Sequence, residues 1–98
     1  MLVKIHKSYR NVVALCDSNL LGKKFEEKNT QIDLTSGFFN GEEKTESEVL
    51  EIIRDSVRED SSFSIVGEQS CSLALKAGII DKEGIKTING IPVALALL

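Results

Sequence analysis

Residues 64–80 read "SIVGEQSCSLALKAGII", and the side chains that could do chemistry gather there. An apolar run ends at Gly67, and a helix-like pattern follows. That is the outline of a phosphate loop, in which free backbone N–H groups at a helix N-terminus face an anion. Gly67, Glu68, Gln69 and Ser70 form this candidate anion turn. There is one glycine, where phosphate loops use several to wrap the backbone around the ligand. Glu68 also places a carboxylate at the positive end of the helix dipole, which an incoming phosphate would meet. The same residues suffice for a plain strand-to-helix turn, and that reading is preferred.

Nucleophilic catalysis needs Ser or Cys beside a base. His6 is the single histidine, and the cysteines are Cys16 and Cys71. Cys16 ends a run expected to pair with the strand of His6, so a Cys–His contact is one option. Cys71 or Ser70 at a helix start is another. Neither lies in a nucleophile-elbow pattern, and "VALC" reads as a core run around a small buried thiol. The reading leans away from an enzyme and assigns no catalytic residue and no cofactor. A zinc site wants several His or Cys at ligand spacing, and the acidic cluster over 42–51 lacks calcium-loop spacing, so no metal is expected.

The chain has 98 residues and a net charge of −3, which argues against a general nucleic-acid binder. The charge is unevenly placed. Residues 1–28 hold six basic and three acidic side chains, and residues 29–60 hold three and nine. Lys4, His6, Lys7 and Arg10 fall on the first hairpin, and Lys23 and Lys24 follow Gly22. Together they form a candidate phosphate or RNA contact, with solvated lysines as the plainer reading. RNA modules add exposed aromatics on which bases stack; Tyr9 is the natural candidate, since the phenylalanines read as core. No apolar run approaches the ~20 residues of a membrane span, and "MLVKIHKSYR" is too polar for a signal peptide. Two distant cysteines without CxxC spacing suit thiols in a reducing compartment.

These residues need elements to hold them. "LVKIHK" alternates as a half-buried strand, and "VVALCD" is a second strand behind a polar loop. Asp17 or Ser18 is expected to cap a short helix, "NLLGKKFEE", burying Leu20, Leu21 and Phe25. "TQIDLT" alternates again. "SGFFNGEE" is a loop that folds Phe38 and Phe39 onto the core. Thr45 and Glu48 have capping-box spacing ahead of Val49, Ile52, Ile53 and Val57. "FSIVG" is an interior strand, "EQSCSLALKA" a helix with Gly78 at its C-cap, and "DKEG" a turn. "IKTI" and "IPVALAL" flank Asn89-Gly90, a hairpin signal; Pro92 belongs at a strand start or edge. The order β-β-α-β-α-β-α-β-β predicts one α/β domain over 1–98: a mixed sheet with about three packed helices.

The blocks "MLVKIHKS", "LLGKKFEE", "IVGEQS", "LALKAGII" and "INGIPVA" resemble, in that order, a family of small archaeal proteins of unknown function, over essentially the whole chain. The resemblance implies a single cytoplasmic domain of about this length and points toward translation-related partners. It carries no activity with it. It directs attention to Gly22–Lys23–Lys24, Gly67–Glu68 and Asn89–Gly90–Ile91–Pro92. The end, "VALALL", is more apolar than the polar tail the family implies, which suggests a protein partner or a second copy over the last strand. Three readings therefore stand: a non-enzymatic module binding RNA or a ribonucleoprotein through the basic hairpin, a small enzyme or anion binder at Gly67–Ser70, and a homo-oligomer paired through the C-terminal strand.

Overall fold

The computed structural model describes residues 1–97. Leu98, the last residue of the apolar C-terminal run, lies outside them. Strands β1 (Leu2–His6) and β2 (Val12–Cys16) form an antiparallel hairpin. A long connection holds a second hairpin of β3 (Lys24–Glu27) and β4 (Thr30–Asp33), the short strand β5 (Glu42–Glu43) and helix α1 (Glu46–Arg58). It leads to β6 (Ser62–Val66), which runs parallel to β2. Helix α2 (Glu68–Ala77) and the hairpin β7 (Lys86–Ile88) and β8 (Ile91–Ala96) complete the chain. The main sheet has the order β5-β1-β2-β6-β8-β7, and β3-β4 is a separate two-stranded ribbon.

The period of two divides the sheet residues between two cores. Val3, Val13, Leu15, Phe63, Ile65, Ala94 and Ala96 face α1 and α2, meeting Val49, Ile53, Leu73 and Ala74. Leu2, Ala14, Cys16 and Val66 face the other way, where Leu20, Leu34 and Phe39 cover them. β6 is buried on both faces because it is central and has a layer on either side.

Two expectations fail: the strands do not form one sheet, since β3–β4 stands apart from the main sheet, and the helix expected after β2 is absent. "NLLGKKFEE" is not a helix: Ser18–Leu20 is one 3₁₀ turn, and the rest is β3. Gly22 has φ +86°, a left-handed conformation that ends the turn. Lys24–Glu27 then pairs with Thr30–Asp33. A polar stretch of one turn's amphipathicity has weak helical preference, and a matching strand two residues away outweighs it. The α-helices are thus two rather than three among the described residues, with three short 3₁₀ turns beside them.

Several other local signals are realised. Thr45 Oγ1 accepts from the Glu48 N–H at 3.2 Å, and the Glu48 carboxylate accepts from the Thr45 N–H at 2.9 Å. Asn89 and Gly90 have φ of 50° and 80°, the turn whose twist matches an antiparallel hairpin. Pro92 sits in β8 one residue before its pairing with β6 begins, at Val93 with Val66. There it needs no ladder donor.

Candidate functional site

The anion turn is built where β2 and β6 end side by side, Cys16 opposite Val66. The next residues, Asp17 and Gly67, are therefore neighbours, although fifty residues separate them in sequence. Gly67 has φ +112°, which L side chains rarely adopt, and a Cβ there would overlap the Asp17 carboxylate. That close approach lets Asp17 reach the start of α2. Its Oδ2 accepts from the Gln69 N–H at 3.0 Å, and its Oδ1 from the Ser70 N–H and hydroxyl at 2.8 Å each. Asp17 and Ser70 are both buried. The anion at this helix terminus is thus the chain's own carboxylate, and a phosphate would have to displace it. Glu68, exposed beside it, adds a second negative charge.

The thiols are poorly placed for catalysis. Cys16 and Cys71 are buried and unpaired. Burial, and then the charge of Asp17, pushes each thiol up to about 11. At neutral pH both stay protonated and so are weak nucleophiles. The Cys16–His6 contact does not form. Cys16 pairs with Leu2 and His6 with Val12, so four residues separate them along the hairpin, about 13 Å at strand rise. No cluster of three or more potential metal ligands exists among the described residues.

The basic residues fall into separate groups. Lys4 and His6 share one face of β1 and hold the 3₁₀ turn Gly37–Phe39. Lys4 Nζ donates to the Gly37 carbonyl at 2.8 Å, and His6 Nε2 lies 2.8 Å from the Phe38 carbonyl, to which it must donate. The His6 ring stacks on Phe38, with centroids 4.3 Å apart and planes at 12°. The sequence predicts Phe38 and Phe39 alike on the core; Phe39 is buried, while Phe38 keeps 37% of its surface exposed. Lys7 and Arg10 flank Tyr9 on the tip of the β1–β2 hairpin, and Tyr9 projects entirely into solvent. The tip is shaped from within. The Ser8 N–H donates to Asn11 Oδ1 at 3.3 Å, and the Ser8 hydroxyl donates to the Arg10 carbonyl at 2.5 Å. The Asn11 carbonyl accepts from the Ser62 N–H at 3.0 Å, anchoring the loop to β6.

Lys23 and Lys24 ride on a different element. The β3–β4 ribbon packs against β7, four strand steps from β1 in the sheet. Lys24 Nζ lies 4.0 Å from its cross-strand partner Asp33. The Asn89 N–H donates to Glu27 Oε1 at 2.9 Å, so the "NG" turn serves to seat this ribbon. The C-terminal strand is also placed: β8 is paired on both edges, by β6 and β7. β7 covers Ile91–Val93 of it and β6 covers Val93–Ala96, so among the described residues the β7-side edge of Ala94–Ala96 has no strand beside it. The side chains of Leu95 and Leu97 are open as well, 64% and 75% exposed.

Asp17 as the cap of α2 was not legible from the chain, since its neighbours suggest a local cap for residues 19–27. A signal existed in "LCD" and "IVG", two apolar runs each closed by a residue suited to a parallel-strand end, but their adjacency depends on strand order.

Two comparisons bear on kinship. The family described as protein of unknown function (DUF424) matches residues 6–97. The crystal structure of an uncharacterised conserved protein from Methanopyrus kandleri superposes with a TM-score of 0.85 at 27% identity, covering 96% of this chain and 87% of that one. No curated protein matches the chain.

Proposed function

The chain belongs to the DUF424 family of proteins of unknown function, and we propose that it is a non-enzymatic binding module that engages RNA, alone or in a ribonucleoprotein, through the tip of its β1–β2 hairpin. The observation that carries this reading is the exposure of Tyr9 between Lys7 and Arg10. A fully solvated aromatic contributes nothing to the core and leaves apolar surface in water. It is suited to stacking on an unpaired base, with cations beside it for the adjoining phosphates. The Ser8 and Asn11 hydrogen bonds hold the tip in shape before binding, which lowers the ordering cost. Lys4 and His6 take the supporting role of fixing the Gly37–Phe39 turn beside that hairpin. The buried thiols with raised pKa values favour binding over covalent catalysis.

The test is fluorescence anisotropy with a single-stranded RNA oligonucleotide at low salt. Base–aromatic stacking is worth about 1–3 kcal/mol per base, so Tyr9→Ala should weaken binding roughly 5- to 150-fold. Lys7→Glu with Arg10→Glu should abolish it. Circular dichroism of both variants should match the parent protein, because the tip contributes to neither core. Retention of the parent affinity by both variants overturns the reading.

A further inference from the structure

On the face of the sheet away from the helices, the β3–β4 ribbon and the Gly37–Phe39 turn cover only part of the strands. Between them lies an open groove of about 450 Å³. Ser64 and Leu95, neighbours across β6 and β8, form part of its lining, with Ile32 and Phe38 on the other side. Leu95 and Phe38 are exposed large apolar side chains.

The lining contributed by the ribbon is one strand edge, Gln31 to Asp33 of β4. Leu34 donates to the Lys23 carbonyl at 2.9 Å and accepts from the Gly22 N–H at 2.8 Å. In an antiparallel ladder, facing and outward residues alternate. Ile32 and Thr30 therefore turn their main-chain groups toward β3, and Gln31 and Asp33 turn theirs away from it. Among the described residues the ribbon has two strands, so the outward edge of β4 has no strand of theirs beside it.

Charge sorts the rest. Asp33 is engaged: its carboxylate accepts from the Thr35 N–H at 2.8 Å and from the Thr35 hydroxyl, and it faces Lys24. Lys86 also lines the groove, on the same sheet face as its cross-strand partner Val93. No acidic side chain lies within ion-pair distance of Lys86 among the described residues. The groove thus combines an apolar lining, a row of free main-chain donors and acceptors, and one uncompensated cation.

We infer that this groove is a docking site for an extended peptide segment of a protein partner. The segment adds as a strand to β4, sets alternate apolar side chains against Phe38 and Leu95, and brings an acidic residue to Lys86. Strand addition draws affinity from main-chain hydrogen bonds and specificity from the alternate side chains, and each requirement has its counterpart here. An apolar small molecule would leave the β4 edge unused. The site is separate from the hairpin tip and does not depend on the RNA reading.

The experiment is a titration of the isotope-labelled protein, followed by amide NMR, with a short synthetic peptide alternating valine and threonine and carrying one glutamate. Saturable shifts at Gln31–Asp33, Lys86 and Leu95 are expected. A matched peptide with lysine in place of glutamate should bind about fivefold more weakly, the scale of one exposed ion pair, and Lys86→Glu should reverse that preference. Leu95→Asp, at an exposed position that leaves the fold intact, should remove binding of both. A peptide N-methylated on the amides that face β4 should fail to bind, which separates strand addition from mere apolar contact. Absence of saturable shifts in the groove, shifts unaffected by Leu95→Asp, or unchanged binding of the methylated peptide overturns the inference. So does a stable dimer by light scattering that Leu95→Asp dissociates, because the occupant would then be a second copy. Shifts in the groove caused by single-stranded RNA but not by the peptide would likewise overturn it.

Discussion

Asp17 decides what the Gly67 turn can do. Its carboxylate satisfies the Gln69 and Ser70 N–H groups and the Ser70 hydroxyl inside the fold. Asp17→Ala leaves those buried donors without an acceptor, and a helix cap alone is worth about 1 kcal/mol. With the additional unsatisfied groups the loss should reach about 3 kcal/mol in urea unfolding. Asp17→Asn, which keeps one acceptor oxygen, should lose less. Inorganic phosphate should not raise the melting temperature of the parent protein, because the turn already holds an anion. Stabilisation of the parent by phosphate would restore the anion-site reading. The cysteines give a second test at this scale. With both thiols buried and pushed up to about 11, a thiol reagent at neutral pH should label neither until the protein unfolds. Rapid native labelling of Cys71 would reopen a catalytic role.

At the scale of elements, α1 owes its start to the Thr45–Glu48 box. The Glu48 carboxyl is held below its ordinary value of 4.5, first by the hydrogen bond from the Thr45 N–H and then by the Thr45 side chain. A carboxyl lowered by folding stabilises the folded state only while ionised. That contribution is complete above 4.5 and is lost as pH falls through the lower folded value. Glu48→Gln should therefore lower stability at neutral pH and flatten the acid limb of the stability curve, while Thr45→Ala should cost about 1 kcal/mol. An unchanged acid limb in Glu48→Gln would show that the box does not control it. The ribbon makes the opposite point about elements. Residues 24–27 carry a pattern too short to choose a helix by itself, and they become a strand because Thr30–Asp33 is there to pair with. Lys24→Glu would set a second carboxylate against Asp33 across that ribbon, so Lys23→Glu is the cleaner probe of the lysine pair.

For the molecule as a whole, the net charge of −3 and the dispersal of the basic residues set the strength of any RNA interaction. Lys4 is turned to the Gly37 carbonyl and Lys24 toward Asp33, while Lys7 and Arg10 are the cations beside Tyr9 on the hairpin tip. Each phosphate contact on a single strand contributes a slope of about −0.7 in log affinity against log salt. Two tip contacts therefore predict a slope near −1.4, shallow for a nucleic-acid binder. A slope near −3.5, the value for about five contacts, would mean that Lys4, Lys23 and Lys24 join the interface. No helix is long and apolar enough to cross a membrane among the described residues.

The sequence by itself determined the features that depend on neighbours in the chain. It set the alternation of β1, the apolar runs of β2 and β6, the capping box of α1, the left-handed Gly78 that ends α2, and the Asn89-Gly90 turn. These follow from φ preferences, side-chain period and short-range hydrogen bonds, which act over a few residues. The tertiary structure alone decided which strands adjoin. From that order come the meeting of Asp17 with Gly67, the pairing of β8 with both β6 and β7, and the free edge of β4 above the groove. Nothing local encodes such adjacency, because it is selected by the simultaneous burial of two apolar faces in one sheet.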